Sequence, residues 1–442
     1  MNIRILGTGM AGFGAAYRLR QEGVKSDLYM YDKNAYIGGH TATFETNDGF
    51  IFDDGPHISF TDDKRIQDLL ADNIDHEYET LKATVNNYWK GYWIKHPAQC
   101  NLHGLPSDLI VDVISDFVEA KHKTNGHIVN YKEWLYAKFG KTFAETFPMV
   151  YGKKYHTVDA ENMDIDWLGP RLYQPDLQEV LKGALEPSTP DVHYVDKFRY
   201  PTNHGFAHYL DKFTSLAQIK LNHKVTGIDA KERLIHFNNG TTTDYDELIS
   251  SIPLPELVTN IINDVPENIV EAGKKLACTS CIIVNIGIDR NDFTEAVWSY
   301  FYDTDIIFTR LSFPHLMSPN TVPDGCGSIQ AEIYFSDKYR PVDRNPEECI
   351  KPVIQDLKKC GLLTEDDNIL HTSTLFIKYA NVIFDLDRQE ALKIVHDYLD
   401  DIGIRYCGRY GDWGYLWTDE AFKSGENAAQ QVLDNKLSTR EI

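Results

Sequence analysis

Several features of other protein classes are missing from this chain of 442 residues. It has no run of about 18 apolar residues, and Met1 leads directly into a strand pattern without the charged and apolar regions of a signal peptide. The seven cysteines are too sparse for a disulfide scaffold, and their odd number leaves at least one unpaired. We therefore expect a protein of the reducing cytoplasm with no integral membrane segment.

Positive charge is scarce as well. The chain has 44 lysines and arginines against 66 aspartates and glutamates, which gives a formal net charge of −22. Such a field repels nucleic acid and anionic lipid over most of the surface, so we expect neither as a partner. Any anionic ligand needs a local cationic pocket. Hydrophobic residues make up 42% and charged residues 25%, which is typical of a folded globular protein.

Patterns of metal ligands are also absent. The 16 histidines include no His-Glu-x-x-His sequence, and the pair Cys278 and Cys281 has no second pair that would complete four zinc ligands. This pair opens an apolar run, which favours a buried strand over a redox or zinc site. The sequence therefore predicts no metal site.

A glycine turn near the start of the chain has the pattern of a dinucleotide-binding motif. An apolar run at residues 2–6 predicts a strand, and apolar residues at helical spacing over 13–21 predict a helix. Between them, Gly7 permits a tight turn, Gly9 lets the backbone approach a pyrophosphate, and Gly12 allows close packing of strand and helix. The N–H groups at the start of the helix then face the phosphates.

An acidic residue in register supports this interpretation. A second predicted strand at 27–31 ends at Asp32, twenty residues beyond Gly12. A carboxylate there can accept hydrogen bonds from both hydroxyls of an adenosine ribose and repels a 2′-phosphate, which argues against NADP. A plain strand-to-helix turn is the alternative explanation of the glycines.

Two further segments separate FAD from NAD. The pair Gly38-Gly39 follows six residues after Asp32, and a Gly-Pro-His sequence ending at His57 comes after a β-rich stretch. They resemble the second glycine signature of the two-domain flavoproteins that include amine oxidases, protoporphyrinogen oxidase, phytoene desaturase and UDP-galactopyranose mutase. A flavin dinucleotide must continue past its pyrophosphate along backbone without Cβ atoms. We therefore predict FAD, bound noncovalently because the neighbours of Cys407 do not match the amine-oxidase attachment sequence.

Within that group, several segments resemble the UDP-galactopyranose mutases. The Gly-Pro-His turn resembles the one that lies against the isoalloxazine ring, so His57 is either a residue that tunes the flavin or an ordinary turn residue. The order of aromatic and basic residues over 131–155 resembles the helical substrate-binding region of the mutases. Asn130 and Glu133 also have the spacing of a capping box, so a structural explanation covers part of the pattern.

Basic residues further along extend the resemblance. Arg171 stands about where the mutases have an arginine near the substrate, and the stretch that contains Tyr194 resembles their Tyr, Pro and Gly-Tyr segment. Phe308-Thr-Arg310, followed by Glu332-Ile-Tyr334, resembles their Tyr-Thr-Arg strand, whose arginine reaches the diphosphate of a nucleotide sugar. A guanidinium offers planar, bidentate donors to phosphate oxygens. The alternative for Arg310 is an arginine paired with an acidic neighbour.

The C-terminal region resembles the segment in which the mutase chain returns to the FAD. The resemblance implies that Arg409 lies near the flavin and that Tyr415 can hydrogen-bond a diphosphate. A helix predicted from about Thr418 has an N-terminus that can donate N–H groups to the flavin. Two positions depart from the pattern: Trp417 replaces an acidic or amide residue, and Tyr155 replaces a tryptophan.

The middle of the chain differs more from the mutase pattern than the other regions do. Residues 219–228 resemble the strand whose valine, here Val225, contacts the adenine. Residues 248–253 are more similar to protoporphyrinogen and amine oxidases, because the Tyr-Thr-Gly-Pro and Tyr-Arg-Ser segments of the mutases are absent. The chain is thus expected to be a relative of the mutases without necessarily sharing their reaction.

The motifs and resemblances together define a predicted site. The FAD ligands are expected to be Gly7, Gly9, Met10, Ala11, Gly12, Asp32, Lys33, Gly38, Gly39, His40, Gly55, Pro56, His57, Val225, Gly408, Arg409 and Tyr415. The substrate ligands are expected to be Tyr155, Arg171, Tyr194, Arg310, Tyr334 and Tyr415. The catalytic residues are expected to be His57, Arg310 and Arg409.

The expected fold class is α/β, a two-domain flavoprotein. A discontinuous Rossmann-like FAD domain is expected from residues 1–85, 205–255 and 375–442. A substrate domain with helices and a mixed sheet is expected from residues 86–204 and 256–374. The sequence is compatible with a homodimer.

These expectations favour an FAD-dependent oxidoreductase that acts on a small molecule, a nucleoside-diphosphate sugar, in surface polysaccharide or glycoconjugate biosynthesis. A sugar-ring mutase that uses reduced flavin is one alternative. A flavin amine oxidase that acts on a small amine is a second, and a protein that uses FAD only as a structural element is a third. In each enzyme the cofactor does the chemistry while the protein supplies orientation and charge.

Overall fold

The computed structural model describes residues 2–25, 27–122, 127–192 and 195–440. The strands are β1 (Ile3–Leu6), β2 (Leu28–Tyr31), β3 (Thr43–Glu45), β4 (Ile51–Asp53), β5 (Tyr78–Lys82), β6 (Val85–Trp89), β7 (Tyr92–Lys95), β8 (Lys197–Pro201), β9 (Gln218–Lys220), β10 (Val225–Asp229), β11 (Leu234–Phe237), β12 (Thr242–Asp244), β13 (Glu247–Ser250), β14 (Ser280–Ile288), β15 (Trp298–Phe301), β16 (Arg310–Ser312), β17 (Gly327–Phe335), β18 (Ile369–Ile377) and β19 (Ile404–Tyr406). The helices are α1 (Met10–Gln21), α2 (Lys64–Asn73), α3 (Ser107–His122), α4 (Tyr131–Phe139), α5 (Lys141–Thr146), α6 (Pro148–His156), α7 (Leu177–Leu185), α8 (Leu254–Glu256), α9 (Glu267–Lys275), α10 (Ile350–Lys359), α11 (Arg388–Asp401) and α12 (Thr418–Arg440).

A parallel sheet of five strands, in the order β19-β13-β1-β2-β9, carries the glycine turn. All four residues of β1 are buried, which explains why its sequence is continuously apolar rather than alternating. The predicted first strand and helix are both present. The helix begins earlier than predicted, at Met10, because Gly9 has an extended conformation and is itself the N-cap residue.

Helices α1 and α12 contact each other backbone to backbone. A Cβ atom on Gly14 would lie 2.0 Å from the carbonyl oxygen of Phe422, and one on Gly425 would lie 1.9 Å from that of Ala11. Side chains at these two positions would push the helices apart. The contact holds the C-terminal segment beside the glycine turn, although the two lie at opposite ends of the chain.

A second, mixed sheet of seven strands has the order β18-β14-β17-β16-β15-β6-β7. Its centre, β14 and β17, is buried along all nine residues of each strand. The pairing of β15 with β6 is parallel, and the other pairs are antiparallel. The predicted strands at 281–288 and 328–334 are present, and Cys281 lies in β14 with a buried thiol that forms no disulfide.

Helices α3 to α7 form a layer held together by aromatic side chains. The buried cluster in this layer includes Phe117, Trp134, Phe139, Phe143 and Phe147. The predicted capping box is present only in part. Asn130 Oδ1 accepts from the Glu133 N–H at 2.9 Å, but the Glu133 carboxylate accepts from the Val129 N–H at 3.0 Å instead of the Asn130 N–H.

One predicted strand differs from the observed elements. The single strand predicted at 219–228 is divided into β9 and β10, because Asn222 has a left-handed conformation with φ of 57°. Strand β18 spans residues 374–375, where the sequence placed a boundary between the two expected domains, and the division into domains stays a prediction.

Two kinds of feature are absent from the described residues. No described helix is long and apolar enough to cross a membrane. In the same ranges, no group of three or more His, Cys, Asp or Glu side chains is arranged to hold a metal ion.

Candidate functional site

Three glycine-containing turns meet at the start of α1. The Thr8 carbonyl accepts from the Gly38 N–H at 2.9 Å, and a Cβ atom on Gly9 would lie 3.4 Å from the Gly38 carbonyl oxygen. A Cβ atom on Gly408, whose φ is +79°, would lie 2.7 Å from the Ala11 Cβ. The two glycine signatures and the C-terminal turn therefore form one surface of bare backbone.

The N-terminus of α1 opens onto this surface. No side chain caps the helix, and its first intrahelical hydrogen bond runs from the Phe13 N–H to the Gly9 carbonyl at 3.0 Å. The N–H groups that precede Phe13 have no acceptor within the helix. Together with the helix dipole, they form a suitable site for a phosphate group.

Asp32 holds the glycine turn in place. Its Oδ2 accepts from the Thr8 N–H at 3.0 Å and from the Thr8 hydroxyl at 2.7 Å, and its Oδ1 accepts from the Asn34 N–H at 2.9 Å. The sequence predicted a ribose contact but not this internal role. A carboxylate has about four lone-pair positions, so the ribose contact stays a compatible prediction.

A cavity of about 720 Å³ joins this backbone surface to the helical layer and the mixed sheet. The predicted site residues that line it are Gly7, Gly9, Met10, Ala11, Asp32, Lys33, Gly38, Gly39, His40, Gly55, Pro56, His57, Tyr155, Arg171, Val225, Arg310, Tyr334, Gly408, Arg409 and Tyr415. Gly12 lies beneath the turn instead, where a Cβ atom would be 2.2 Å from the Gly7 carbonyl oxygen. Tyr194 lies outside the described residues. The structure thus brings these residues together, while their individual roles stay predictions.

The cavity is more cationic than the rest of the protein. With histidines counted as neutral, six cationic side chains and four carboxylates line it. The cations are Lys33, Arg171, Lys224, Arg310, Lys378 and Arg409, and the carboxylates are those of Asp32, Asp54, Glu256 and Glu332. A chain of net charge −22 thus has an excess of positive charge in this cavity.

His57 is a neutral imidazole in the cavity wall. Its Nδ1 lies 2.9 Å from the Gly55 carbonyl oxygen, so Nδ1 carries the proton and donates it. Burial lowers the pKa of His57 to about 4, with a smaller lowering from Arg409. Next to it, His40 Nδ1 lies 2.9 Å from Asp54 Oδ2. The Nε2 atom of His57 is therefore left as a hydrogen-bond acceptor.

The Arg409 side chain is hydrogen-bonded to the backbone of the same loop, seven residues further along the chain. Its Nε and Nη2 donate to the Leu416 carbonyl at 3.0 and 2.6 Å, and its Nη1 donates to Asn381 Oδ1 at 3.1 Å. The guanidinium also lies over the Tyr415 ring, 5.1 Å from its centroid. Carbonyl and amide oxygens leave its positive charge uncompensated, so its field extends into the cavity.

Arg310 is bound to a carboxylate, which was the alternative considered from the sequence. It faces Glu332 across the β16–β17 pair, and the two side chains form a double hydrogen bond, with Nη2 to Oε1 at 2.7 Å. Within the cavity wall, Glu332 is buried and Arg310 is half-buried. Local sequence does not show this pairing, because 22 residues separate the partners.

Arg171 lies between two aromatic rings. Its guanidinium carbon lies 4.6 Å from the Tyr415 centroid and 4.5 Å from the Trp417 centroid. Its Nη2 donates to the Tyr415 carbonyl at 2.6 Å and its Nη1 to the Trp167 carbonyl at 3.1 Å. Its buried Nε has no hydrogen-bond partner among the described residues. This contact connects the helical layer to the C-terminal segment.

Tyrosines line the same part of the cavity. The Tyr155 and Tyr415 hydroxyls lie 2.7 Å apart, and the Tyr155 ring lies 4.7 Å from that of Tyr334. Burial raises the pKa of Tyr155 and Tyr334 well above the ordinary value, so both hydroxyls are neutral donors. Tyr151 stacks on Tyr155 at 5.5 Å, and Tyr300 contacts Tyr151 edge-on.

The aromatic cavity residues that the sequence did not assign to the site include Tyr151, His156, Trp167 and Tyr300. For Tyr151, a signal was available, since it precedes Tyr155 by four residues on a helix and such residues share a face. The other three are brought to the cavity by a helix end, a loop and a strand from separate regions. No sequence spacing connects them.

Comparisons with known proteins agree with this geometry. A model of the NAD(P)-binding Rossmann-like domain family matches residues 5–72. The 4,4′-diaponeurosporene oxygenase of Staphylococcus haemolyticus (strain JCSC1435) is 50% identical over 56 residues. That match covers 13% of this chain and only 11% of the oxygenase, so it is confined to a small part of both proteins.

Solved structures match over nearly the whole chain. A reduced UDP-galactopyranose mutase is 25% identical, with a TM-score of 0.92 over 98% of this chain and 95% of the mutase. A protoporphyrinogen oxidase-like protein from Exiguobacterium sp. 255-15 is 14% identical, with a TM-score of 0.75 over 97% and 98% of the two chains. A putrescine oxidase bound to putrescine is 15% identical, with a TM-score of 0.65 over 98% and 99%. The last two comparisons show the fold alone.

The comparisons confirm the predicted resemblance to UDP-galactopyranose mutase and to protoporphyrinogen oxidase-like proteins. They also confirm an α/β flavoprotein fold with a Rossmann-like domain. The full-length likeness to a reduced mutase and the Rossmann-like domain bear out the expectations of an enzyme and of an FAD cofactor. The residues present fit that cofactor, because Cβ atoms would fill the bare backbone surface and the adjoining helix N-terminus is uncapped.

Proposed function

We propose that this FAD-dependent enzyme acts on a nucleoside-diphosphate sugar in the synthesis of a surface polysaccharide or glycoconjugate. The excess of positive charge in the cavity is the observation that carries the proposal. Arg171 and Arg409 donate to carbonyl and amide oxygens and have no carboxylate partner among their described hydrogen bonds. Uncompensated guanidinium groups in a low-dielectric cavity favour an anion such as a diphosphate.

The cofactor would bind along the bare backbone surface. The α1 N-terminus and the turn at Gly9 would bind the pyrophosphate, Asp32 and Val225 would flank the adenosine, and His57 and Arg409 would lie near the flavin ring. When bound, FAD supplies hydride transfer in its oxidised form or a nucleophilic nitrogen in its reduced form.

The remaining side chains would bind and orient the sugar nucleotide. Arg171 is suited to the diphosphate, because its flat guanidinium is fixed between two rings and its Nε is unpaired. The Tyr155 and Tyr415 hydroxyls lie 2.7 Å apart, so one donates to the other and the second would donate a hydrogen bond to the substrate. Burial keeps the His57 imidazole neutral at neutral pH, so its Nε2 has a free lone pair. This nitrogen would accept a proton or a hydrogen bond from the substrate.

The full-length likeness to a mutase supports a redox-neutral change of ring size as strongly as a net oxidation. Product analysis by NMR with dithionite-reduced and with oxidised enzyme separates the two reactions. A ring-contracted sugar formed only by the reduced enzyme indicates a mutase, whereas an oxidised sugar indicates an oxidoreductase.

An amine oxidase is the second candidate, favoured by the cluster of tyrosines around Tyr155. An ammonium substrate beside these tyrosines would need a carboxylate there, but Glu332, the cavity carboxylate that acts on Tyr155 and Tyr334, already binds Arg310. Thermal shift decides between the candidates. UDP-galactose should raise the melting temperature, since a ligand at 100 times its Kd adds about 2.7 kcal/mol of stability. Stabilisation by putrescine with no effect of UDP-, dTDP- or GDP-sugars would contradict the proposal.

A further inference from the structure

His156 is a buried histidine whose imidazole ring has no hydrogen-bond partner among the described residues. It is the last residue of α6, it lines the cavity, and only 3% of its surface is exposed. Nδ1 is fully buried and unpaired among the described residues. Buried polar atoms in native proteins nearly always have a partner, so an exception calls for an explanation.

The surroundings keep the His156 ring uncharged. It contacts Tyr155 edge-on with centroids 4.9 Å apart, and its centroid lies 4.9 Å from that of Trp167. Burial lowers the pKa of His156 to about 3, and no charged neighbour contributes to this shift. At neutral pH the imidazole therefore has one N–H group and one lone pair.

The two nitrogens differ in their access to the cavity. Nδ1 is enclosed, whereas Nε2 is not among the fully buried unpaired atoms and no described residue binds it. The small exposed part of this cavity-lining residue therefore includes Nε2. A buried N–H group without an acceptor costs more free energy than a buried lone pair without a donor. Hydrogen bonding therefore assigns the proton to Nε2, which makes it a neutral donor that faces the cavity.

Its position favours the sugar over the phosphates. Tyr155, which contacts the His156 ring, is hydrogen-bonded to Tyr415, and Tyr415 lies under Arg171 and Arg409. The guanidinium groups suit the phosphate oxygens, while a neutral donor between aromatic rings suits the uncharged hydroxyls and apolar faces of a sugar.

We propose that His156 is a specificity-determining residue whose Nε2–H donates to an oxygen of the sugar of the bound substrate. This inference rests on the proposed function, because it assumes a nucleotide sugar in the cavity. It goes further by assigning recognition of the sugar to a residue that no motif in the sequence indicated. The sugar must present an acceptor oxygen at this position.

The test compares two probes, UDP-galactose and UDP, by isothermal titration of the FAD-loaded enzyme. His156→Phe keeps a ring of similar size and removes both nitrogens. UDP-galactose should bind roughly 3- to 10-fold more weakly, the effect of one neutral hydrogen bond, and the affinity for UDP should be unchanged. FAD absorbance of the purified variant checks that the cofactor site is intact.

A matched control is His315→Phe. His315 is also buried and burial lowers its pKa to about 4, but it does not line the cavity. This variant should bind both probes as the parent does. If His156→Phe loses FAD, His156→Leu provides the same comparison, with the same expected drop for UDP-galactose alone.

The outcomes separate the two proposals. Unchanged affinity for UDP-galactose in the His156 variants, or an equal loss for UDP, would overturn the assignment of His156 to the sugar. Failure of the parent enzyme to bind either probe, or any dTDP- or GDP-sugar, would overturn the proposed function instead.

Discussion

Replacing Glu332 with leucine should destabilise the protein, because the change leaves the guanidinium of Arg310 without its carboxylate. The Glu332 side chain is 4% exposed and that of Arg310 is 23% exposed, so water can compensate the charge only in part. Breaking one side of a buried ion pair typically costs about 3–5 kcal/mol. The partial exposure of Arg310 favours the lower end, about 3 kcal/mol.

Urea unfolding of the FAD-loaded protein measures this loss as a lower midpoint at unchanged slope. Asp68→Asn is the control, because Asp68 and Lys64 form a pair that is 52% and 72% exposed and should contribute little. The double variant Arg310→Met/Glu332→Leu should recover much of the stability, since it leaves no unpaired charge. If Glu332→Leu loses no more than Asp68→Asn, or if the double variant is the weakest, the buried-pair reasoning is refuted.

Three further predictions concern the cofactor, the substrate and pH. Gly12→Ala should purify without FAD absorbance, because the new Cβ would lie 2.2 Å from the Gly7 carbonyl oxygen, whereas Gly414→Ala, with its nearest atom at 3.6 Å, should stay yellow. Arg171→Lys should weaken UDP binding about 10-fold by titration, since an ammonium cannot replace a flat, stacked guanidinium; equal affinity would contradict its role. His57 has a pKa of about 4 when folded and an ordinary 6.5 when unfolded, so the unfolded chain binds more protons and stability falls as pH drops from 6.5 towards 4. His57→Gln should show a shallower fall in urea titrations over that range, and an equal fall would rule out this contribution.

The start of the chain was predictable because its interactions are local. About thirty residues contain the strand, the glycine turn, helix α1 and Asp32. Each glycine of the turn is at a position where a side chain would clash with nearby backbone or with the bound dinucleotide. The early start of the helix at Met10 and the bonding of Asp32 to Thr8 were the differences. Both depend on the exact geometry of the turn, which residue types alone do not specify.

The partners of the cavity arginines could not be predicted from the sequence. The presence of these arginines indicated an anionic ligand, but the sequence could not show that Arg310 is bound to Glu332 while Arg171 is held between Tyr415 and Trp417. Whether a guanidinium is available to a ligand depends on which oxygens surround it. Those oxygens come from strands and loops far apart in the chain, so only the folded structure shows which charges are compensated.

By itself, the sequence determined that the chain is a folded α/β flavoprotein that carries a dinucleotide turn, because periodicity and glycine spacing act over short stretches of backbone. Only the tertiary structure decided which side chains face one another in the cavity. It gave Arg310 a carboxylate partner and left the buried Nδ1 of His156 without a hydrogen-bond partner among the described residues. Long-range strand pairing and the contact between α1 and α12 set the distances on which hydrogen bonds and charge compensation depend.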